Sequence, residues 1–183
     1  MPITAQHVRD TVAAYLADHP EEKDALSAVG EVVEQAGDSV ASRKEFRGHV
    51  TAGAALVRPD GRVLTIEHRA LRKWLLPGGH VEDSDTTLRE AALRELAEET
   101  GISRNQVEPA SDTPLHIDVH SIPANDRKGE PEHLHFDFRF LFRTTADAVE
   151  LQREEVTDYS WQLADMLTAE PLRSRVMAAA NCP

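Results

Sequence analysis

Apolar positions recur at helical spacing through the first thirty-odd residues: Val8, Val12, Tyr15 and Leu16, then Ala25, Leu26, Val29, Val32 and Val33. Pro20 follows Asp18-His19 and precedes Glu21-Glu22, which predicts that one helix stops and a second restarts there, with proline in its first turn and acids near its positive end. Gly37-Asp38-Ser39 breaks the pattern. From Val50 the texture becomes strand-like, and Pro59-Asp60-Gly61 turns it into Arg62–His68 as a hairpin. We therefore divide the chain into an N-terminal helical extension, residues 1–45, and a main domain, residues 46–183. Trp74-Leu75-Leu76 leads into a Pro77-Gly78-Gly79 turn. Residues 86–100, rich in Ala, Leu, Glu and Arg and closed by Gly101, then predict a helix with Leu88, Ala92, Leu93 and Leu96 on its apolar side.

That helix carries Glu95, Glu98 and Glu99 away from its apolar side. Carboxylates three and four residues apart repel by a few tenths of a kcal/mol each on a helix in water, and by more where partly buried. Solvent and Arg94 could offset this, or a hard divalent cation with oxygen ligands could. The whole chain of 183 residues has a formal net charge of −12, and the 24 residues from Gly79 to Ile102 carry five net negative charges. This balance excludes a protein that binds a long nucleic-acid polymer by neutralising phosphates, and it disfavours an anionic membrane surface. The one cysteine, Cys182, allows no intrachain disulfide and no cysteine-based zinc site. The N-terminal stretch lacks a basic start followed by an apolar run, so a cytoplasmic location is expected.

Reading from Gly79, the segment Gly79-His80-Val81-Glu82-Asp83-Ser84-Asp85 is followed, after Thr86 to Leu93, by Arg94-Glu95-Leu96-Ala97-Glu98-Glu99-Thr100-Gly101-Ile102. This resembles the signature of the Nudix hydrolase family, G-x5-E-x7-R-E-U-x-E-E-x-G-U, where U is aliphatic. It departs at Asp85, which stands in place of a glutamate, and eight residues rather than seven separate Asp85 from Arg94. The resemblance implies an α/β fold with a mixed sheet, a Nudix-type α/β/α sandwich, and cleavage of a nucleoside diphosphate derivative dependent on Mg²⁺ (magnesium) or Mn²⁺ (manganese). It implies Glu95, Glu99 and Glu98 as metal ligands, with the Gly79 carbonyl as a further oxygen, and Arg94 as the residue that orients a glutamate. Glu98 is the candidate base in the helix. Glu155, just before the strand-like Val156–Trp161, is the candidate in a later loop. Glu82 and Asp85 read as residues that organise the loop.

Seven of the nine histidines fall between residues 49 and 135. In His133–Phe142 the alternation sets His133, His135, Asp137 and Arg139 against Leu134 and the phenylalanines, and Leu115–His120 alternates likewise with His116, Asp118 and His120 on one side. Gly48-His49-Val50-Thr51, Trp74–His80 and Glu130–Asp137 resemble the texture of a His-rich bacterial subgroup of that family, of unassigned substrate. The polar surface formed by His120, His133, His135 and Asp137 could contact substrate, could hold a second metal through imidazole and carboxylate, or could simply be solvated. Arg72 and Arg127 lie in two cation-bearing loops, suited either to clamping phosphate or to solubility.

The function these features predict is a metal-dependent pyrophosphohydrolase acting on a small nucleotide: an ADP-ribose-like compound, a nucleotide sugar or a (deoxy)nucleoside triphosphate. The alternative is a nucleotide-sensing module of the same fold with little turnover. Isomerase chemistry of the isopentenyl diphosphate kind depends on a cysteine within the domain, a role Cys182 cannot be assumed to fill. The extension could cover the sheet, wall the pocket or build a homodimer.

Overall fold

The structure is a computed structural model, and it describes residues 2–146, 149–151 and 156–180. Among the described residues are four α-helices and eight strands, a mixed α/β chain as the alternation of patterns predicts. No helix among them is long and apolar enough to cross a membrane. Its contacts divide it into two compact units.

The first unit comprises Met1–Ala52, His80–Ala91 and Ile117–Phe138. Helices α1 (Ala5–Asp18) and α2 (Ser27–Ala36) pack together, burying Val8, Tyr15, Val29 and Val33 as the spacing predicts. The Thr4 side chain caps α1 by accepting from the His7 N–H at 3.2 Å, and Asp38 accepts the Ala5 N–H at 2.8 Å. The predicted restart at Pro20 is only a single 3₁₀ turn, Pro20–Glu22, and α2 begins at Ser27. Glu22 is drawn back to accept the buried Tyr15 hydroxyl at 2.6 Å, which ties this turn to α1 rather than feeding it into α2. Strand β1 (Gly48–Val57) starts in this unit, as does β7 (His133–Thr144), which pairs with β6 (His116–Ile122). The two predicted histidine-bearing strands are therefore neighbours.

The second unit comprises Gly53–Gly79, Ala92–His116 and Arg139–Pro183. Strand β2 (Arg62–His68) pairs antiparallel with the end of β1, with β3 (Lys73–Leu75) and, along its length, with β8 (Val156–Leu163). The predicted hairpin closes with the Arg58 N–H donating to the Arg62 carbonyl at 2.9 Å, and Gly61 takes the left-handed φ of 79° that the turn needs. The short β5 (Val107–Pro109) pairs with the end of β7. A core of Ala55, Val57, Val63, Leu76 and Ala164 packs with Leu172 and Val176 of α4 (Leu172–Ala180).

Helix α3 (Leu88–Thr100) runs through both units. Its start is two residues later than the pattern predicts, because the Thr87 hydroxyl accepts the Glu90 N–H at 3.1 Å and so serves as the cap. His7 Nε2 accepts the Leu88 N–H at 3.1 Å, satisfying another first-turn donor. Leu88, Ala92, Leu93 and Leu96 are buried as predicted. Gly101 ends the helix at φ 68°, and its N–H donates to the Ala97 carbonyl at 2.9 Å.

Two glycines give opposite expectations. A Cβ on Gly101 would meet the Glu150 Cβ at 2.9 Å and would force an L-residue into the left-handed region. Gly101→Ala should lower stability by about 1–2 kcal/mol or more. Gly30, inside α2, has nothing within 4 Å of such a Cβ. Gly30→Ala should raise stability by about 0.5–1 kcal/mol. Urea denaturation of the two variants checks both signs.

Candidate active site

Helix α3 places Glu95, Glu98 and Glu99 within two successive residue spacings of one turn, and the second unit builds around them. The Glu99 carboxylate is buried, at 3% exposure, and its Oε2 accepts the Gly78 N–H at 2.9 Å. Gly79 lies against Glu95: a Cβ there would stand 2.7 Å from Glu95 Oε1 and 2.9 Å from Oε2, closer than real Cβ atoms come. Gly78 and Gly79 belong to strand β4 (Gly78–His80). Pro77, just before it, is held by its carbonyl, which accepts the Ala54 N–H at 2.8 Å. Arg94 Nη1 donates to Glu95 Oε1 at 3.1 Å and to Glu98 Oε2 at 2.9 Å, so one guanidinium is shared between two carboxylates. Glu98 is the open member, with its side chain 48% exposed. Glu95, Glu98, Glu99, Gly79 and Arg94 are thus brought together, as expected from the sequence.

Gly53 supports this arrangement. A Cβ on Gly53 would meet the Pro77 carbonyl oxygen at 3.0 Å and Arg139 Nη1 at 3.1 Å, so the absence of a side chain there lets the Pro-Gly-Gly turn and Arg139 close on β1. The sequence pattern does not single out Gly53; a glycine inside a strand-like run is the signal of close approach that could have done so. Asp85 is buried and its Oδ2 accepts the Glu82 N–H at 2.8 Å, while the Asp85 N–H donates to the Glu82 carbonyl. The residue that departs from the family signature closes a turn in the loop before α3. A cavity of about 600 Å³ bordered by Val57, Gln106, Arg143 and Ala180 contains none of the predicted site residues.

The histidines gather in the first unit. His49 joins His133 and His135, with ring centroids 5.0 Å and 4.7 Å away, and His80 lies 5.1 Å from His49 and 5.2 Å from His135. His120 stands at the rim, 5.7 Å from His135, its Nδ1 2.8 Å from Asp118 Oδ2. Gly48 admits this crowding, since a Cβ there would strike the Phe136 ring at 2.7 Å. His49 and His133 are buried, at 1% and 6% exposure, so the solvated reading of this surface does not hold for them. Asp137 is also buried, and Phe136, Phe138, Phe140 and Phe142 fill the core from the opposite side of β7, as the alternation predicts. His116 departs from the expected set: it belongs to the second unit, where its Nδ1 lies 3.1 Å from Arg175 Nη1. Arg127 and Arg72 are exposed, in the first and second unit respectively, and Arg72 has φ 51°. Glu155, like Glu154 and Cys182, lies outside the described residues.

Burial holds the rings of His49, His80 and His135 neutral. It pushes His80 down to about 4, with neighbouring His49 adding to the shift, and pushes His135 down to about 3, with His49 and His80 adding. His49 is lowered for the same reason.

Fold and site together define a mixed α/β protein built round an oxygen-donor cluster on one helix. The chain belongs to the NUDIX domain family, whose profile matches residues 47–179. Over 115 residues it is 34% identical to the probable DHNTP pyrophosphohydrolase of Lactococcus lactis subsp. cremoris, an alignment covering 60% of this chain and 66% of the relative. Over 60 residues it is 50% identical to the phosphatase NudJ of Escherichia coli, covering 32% of this chain and 38% of that one. The chain thus spans less than two thirds of the length of these curated relatives. A solved NUDIX-family hydrolase from Clostridium perfringens shares the fold with a TM-score of 0.55 at 22% identity, covering 73% of this chain and 96% of that one.

The lowered histidines set a pH dependence. Above the unperturbed value of 6.5 the rings are neutral in both folded and unfolded chains. Below it the unfolded chain takes up protons that the folded one refuses until about 4 and about 3, so stability falls as the pH drops through that window. The melting temperature measured in chelator should decline from pH 6.5 toward pH 3, and His135→Asn should flatten the decline.

Proposed function

We propose that this chain hydrolyses the diphosphate linkage of a small nucleoside diphosphate derivative by water attack at phosphorus. The observation that carries the reading is the pairing of the α3 carboxylates with a backbone lacking side chains: Gly79 packed on Glu95, and Gly78 donating to Glu99. The names of the L. lactis and E. coli relatives, a pyrophosphohydrolase and a phosphatase, support the reaction class.

The donors gathered here are oxygens, the Glu95, Glu98 and Glu99 carboxylates, and the missing Cβ at Gly79 leaves room for the Glu95 carboxylate against the backbone. That set fits Mg²⁺ or Mn²⁺ and offers nothing to a soft metal. Bound there, such an ion supplies neutralisation of the charge that grows on the phosphoryl oxygens. Arg94 sets the orientation of Glu95 and Glu98 through its forked contacts, which makes it a positioning residue. Glu98, the exposed carboxylate, takes the proton from the attacking water. The water oxygen bonds to phosphorus as the bridging P–O bond breaks, leaving a nucleoside monophosphate or its equivalent and a phosphorylated remainder. Arg72, on an exposed loop of the second unit, supplies a cation for phosphate oxygens. Buried Asp137 presents little surface to a substrate and serves the strand instead.

Screening ADP-ribose, nucleotide sugars and (deoxy)nucleoside triphosphates with Mg²⁺ and with Mn²⁺, reading release of nucleoside monophosphate, tests this proposal. Glu99→Gln should abolish turnover and act as the blank. Arg94→Ala should reduce kcat/KM by about 10- to 100-fold, the usual effect of removing a group that orients a metal ligand. No turnover of any compound, together with tight nucleotide binding by calorimetry, would replace the hydrolase reading with a sensor.

A further inference from the structure

The histidine cluster has features that hydrolysis at the α3 carboxylates does not use. One ring nitrogen from each of His49, His133 and His135 lies within 4.8 Å of the other two. The protonation pattern of two of these rings follows from the backbone around them. His49 Nδ1 is 3.1 Å from the Glu45 carbonyl oxygen, and His133 Nδ1 is 2.7 Å from the Pro131 carbonyl oxygen. A carbonyl only accepts, so each Nδ1 carries the proton and donates it, and each Nε2 is left with a lone pair. A backbone carbonyl holding one ring nitrogen while the other is free to coordinate is the usual support of a metal-bound imidazole.

The Nε2 atoms of His49 and His135 are buried and have no hydrogen-bond partner. A buried polar atom left unsatisfied costs its full desolvation. Two such atoms in neighbouring rings, one of them the lone-pair-bearing Nε2 of His49, call for a Lewis acid. A sugar or base cannot reach them, since both nitrogen atoms are shut off from solvent; a bare ion can. Imidazole nitrogens are borderline donors that favour zinc and its first-row neighbours over Mg²⁺, and three histidines with a fourth position open is a common zinc ligand set. Gly48 shows that the approach is built in: only a residue without a side chain lets β1 close on Phe136 and set His49 beside the β7 histidines.

We propose that His49, His133 and His135 bind one first-row transition-metal dication, zinc(II) in the first instance, in addition to any hard cation held by the α3 glutamates. The ligands are Nε2 of His49, His133 and His135. His80 and His120 flank His135 and keep the surroundings rich in imidazole.

Titration of the chelator-treated full chain with zinc chloride in excess Mg²⁺, followed by calorimetry, reads the site directly. One equivalent should bind to the unaltered chain and to the Glu95→Gln/Glu99→Gln double variant. His49→Asn and His135→Asn should each weaken binding by more than about tenfold, since loss of a ligand exceeds the loss of a group that supports one. Zinc should raise the melting temperature of the unaltered chain and of the glutamate variant. Should either histidine variant fail to fold, X-ray absorption of the zinc-loaded unaltered chain decides, with imidazole nitrogens near 2.0–2.1 Å expected around the metal. An all-oxygen shell, zinc binding lost in the glutamate variant but kept in the histidine variants, or no zinc binding by the unaltered chain would each overturn the proposal. Because none of these readouts is turnover, failure of the hydrolase reading leaves this test intact.

Discussion

The carboxylate of Glu95 occupies the space where a side chain on Gly79 would have to be. This packing of an anionic group against bare backbone fixes much of what surrounds it. Glu95 can lie there only because β4 has no Cβ at that point, and β4 is held in place because the Pro77 carbonyl is bonded to Ala54 while Gly53 admits it. Glu99 completes the arrangement from the next turn by accepting the Gly78 N–H. The strand is therefore joined to α3 by the same acidic side chains that repel one another along it. Arg94 offsets part of that repulsion by donating to Glu95 and Glu98.

The histidines obey the opposite electrostatics. There burial keeps His49, His80 and His135 neutral, so no charge holds them apart. Protonating any one of them would place a cation among its neighbours in a poorly hydrated space. The two clusters differ in donor type, oxygen in one and nitrogen in the other, so a hard ion and a borderline ion need not compete for the same ligands.

How much of this is legible in the sequence depends on the range over which each signal acts. The α3 helix, its buried side and its glycine stop come from local periodicity and are read within a residue or two; the Thr87 cap shifts the start because a side-chain bond competes with the helical one. The Glu95, Glu98 and Glu99 set is legible for the same reason, all three lying in one turn. The alternation of β7 reveals the phenylalanine side and the histidine side, yet it cannot supply the partner from β1. His49 reaches that cluster through strand pairing more than eighty residues away in sequence, and its only local sign is the glycine before it. His116 shows the converse, sharing the parity of Asp118 and His120 while its ring nitrogen meets Arg175 from α4. Proline's ability to start a helix was likewise overruled at Pro20 by a tertiary bond from Tyr15 to Glu22.

His7 carries a consequence for where this domain ends. It lies in α1, well before residue 47 where the family resemblance begins, yet its Nε2 accepts the N–H of Leu88, the first residue of the helix bearing the glutamates. Burial lowers the affinity of this ring for protons and so preserves the lone pair on which the bond depends. The N-terminal helices are thus part of the cooperative element that keeps the start of α3 from fraying, and an evolutionary boundary in the sequence here falls inside a unit of local stability rather than at its edge.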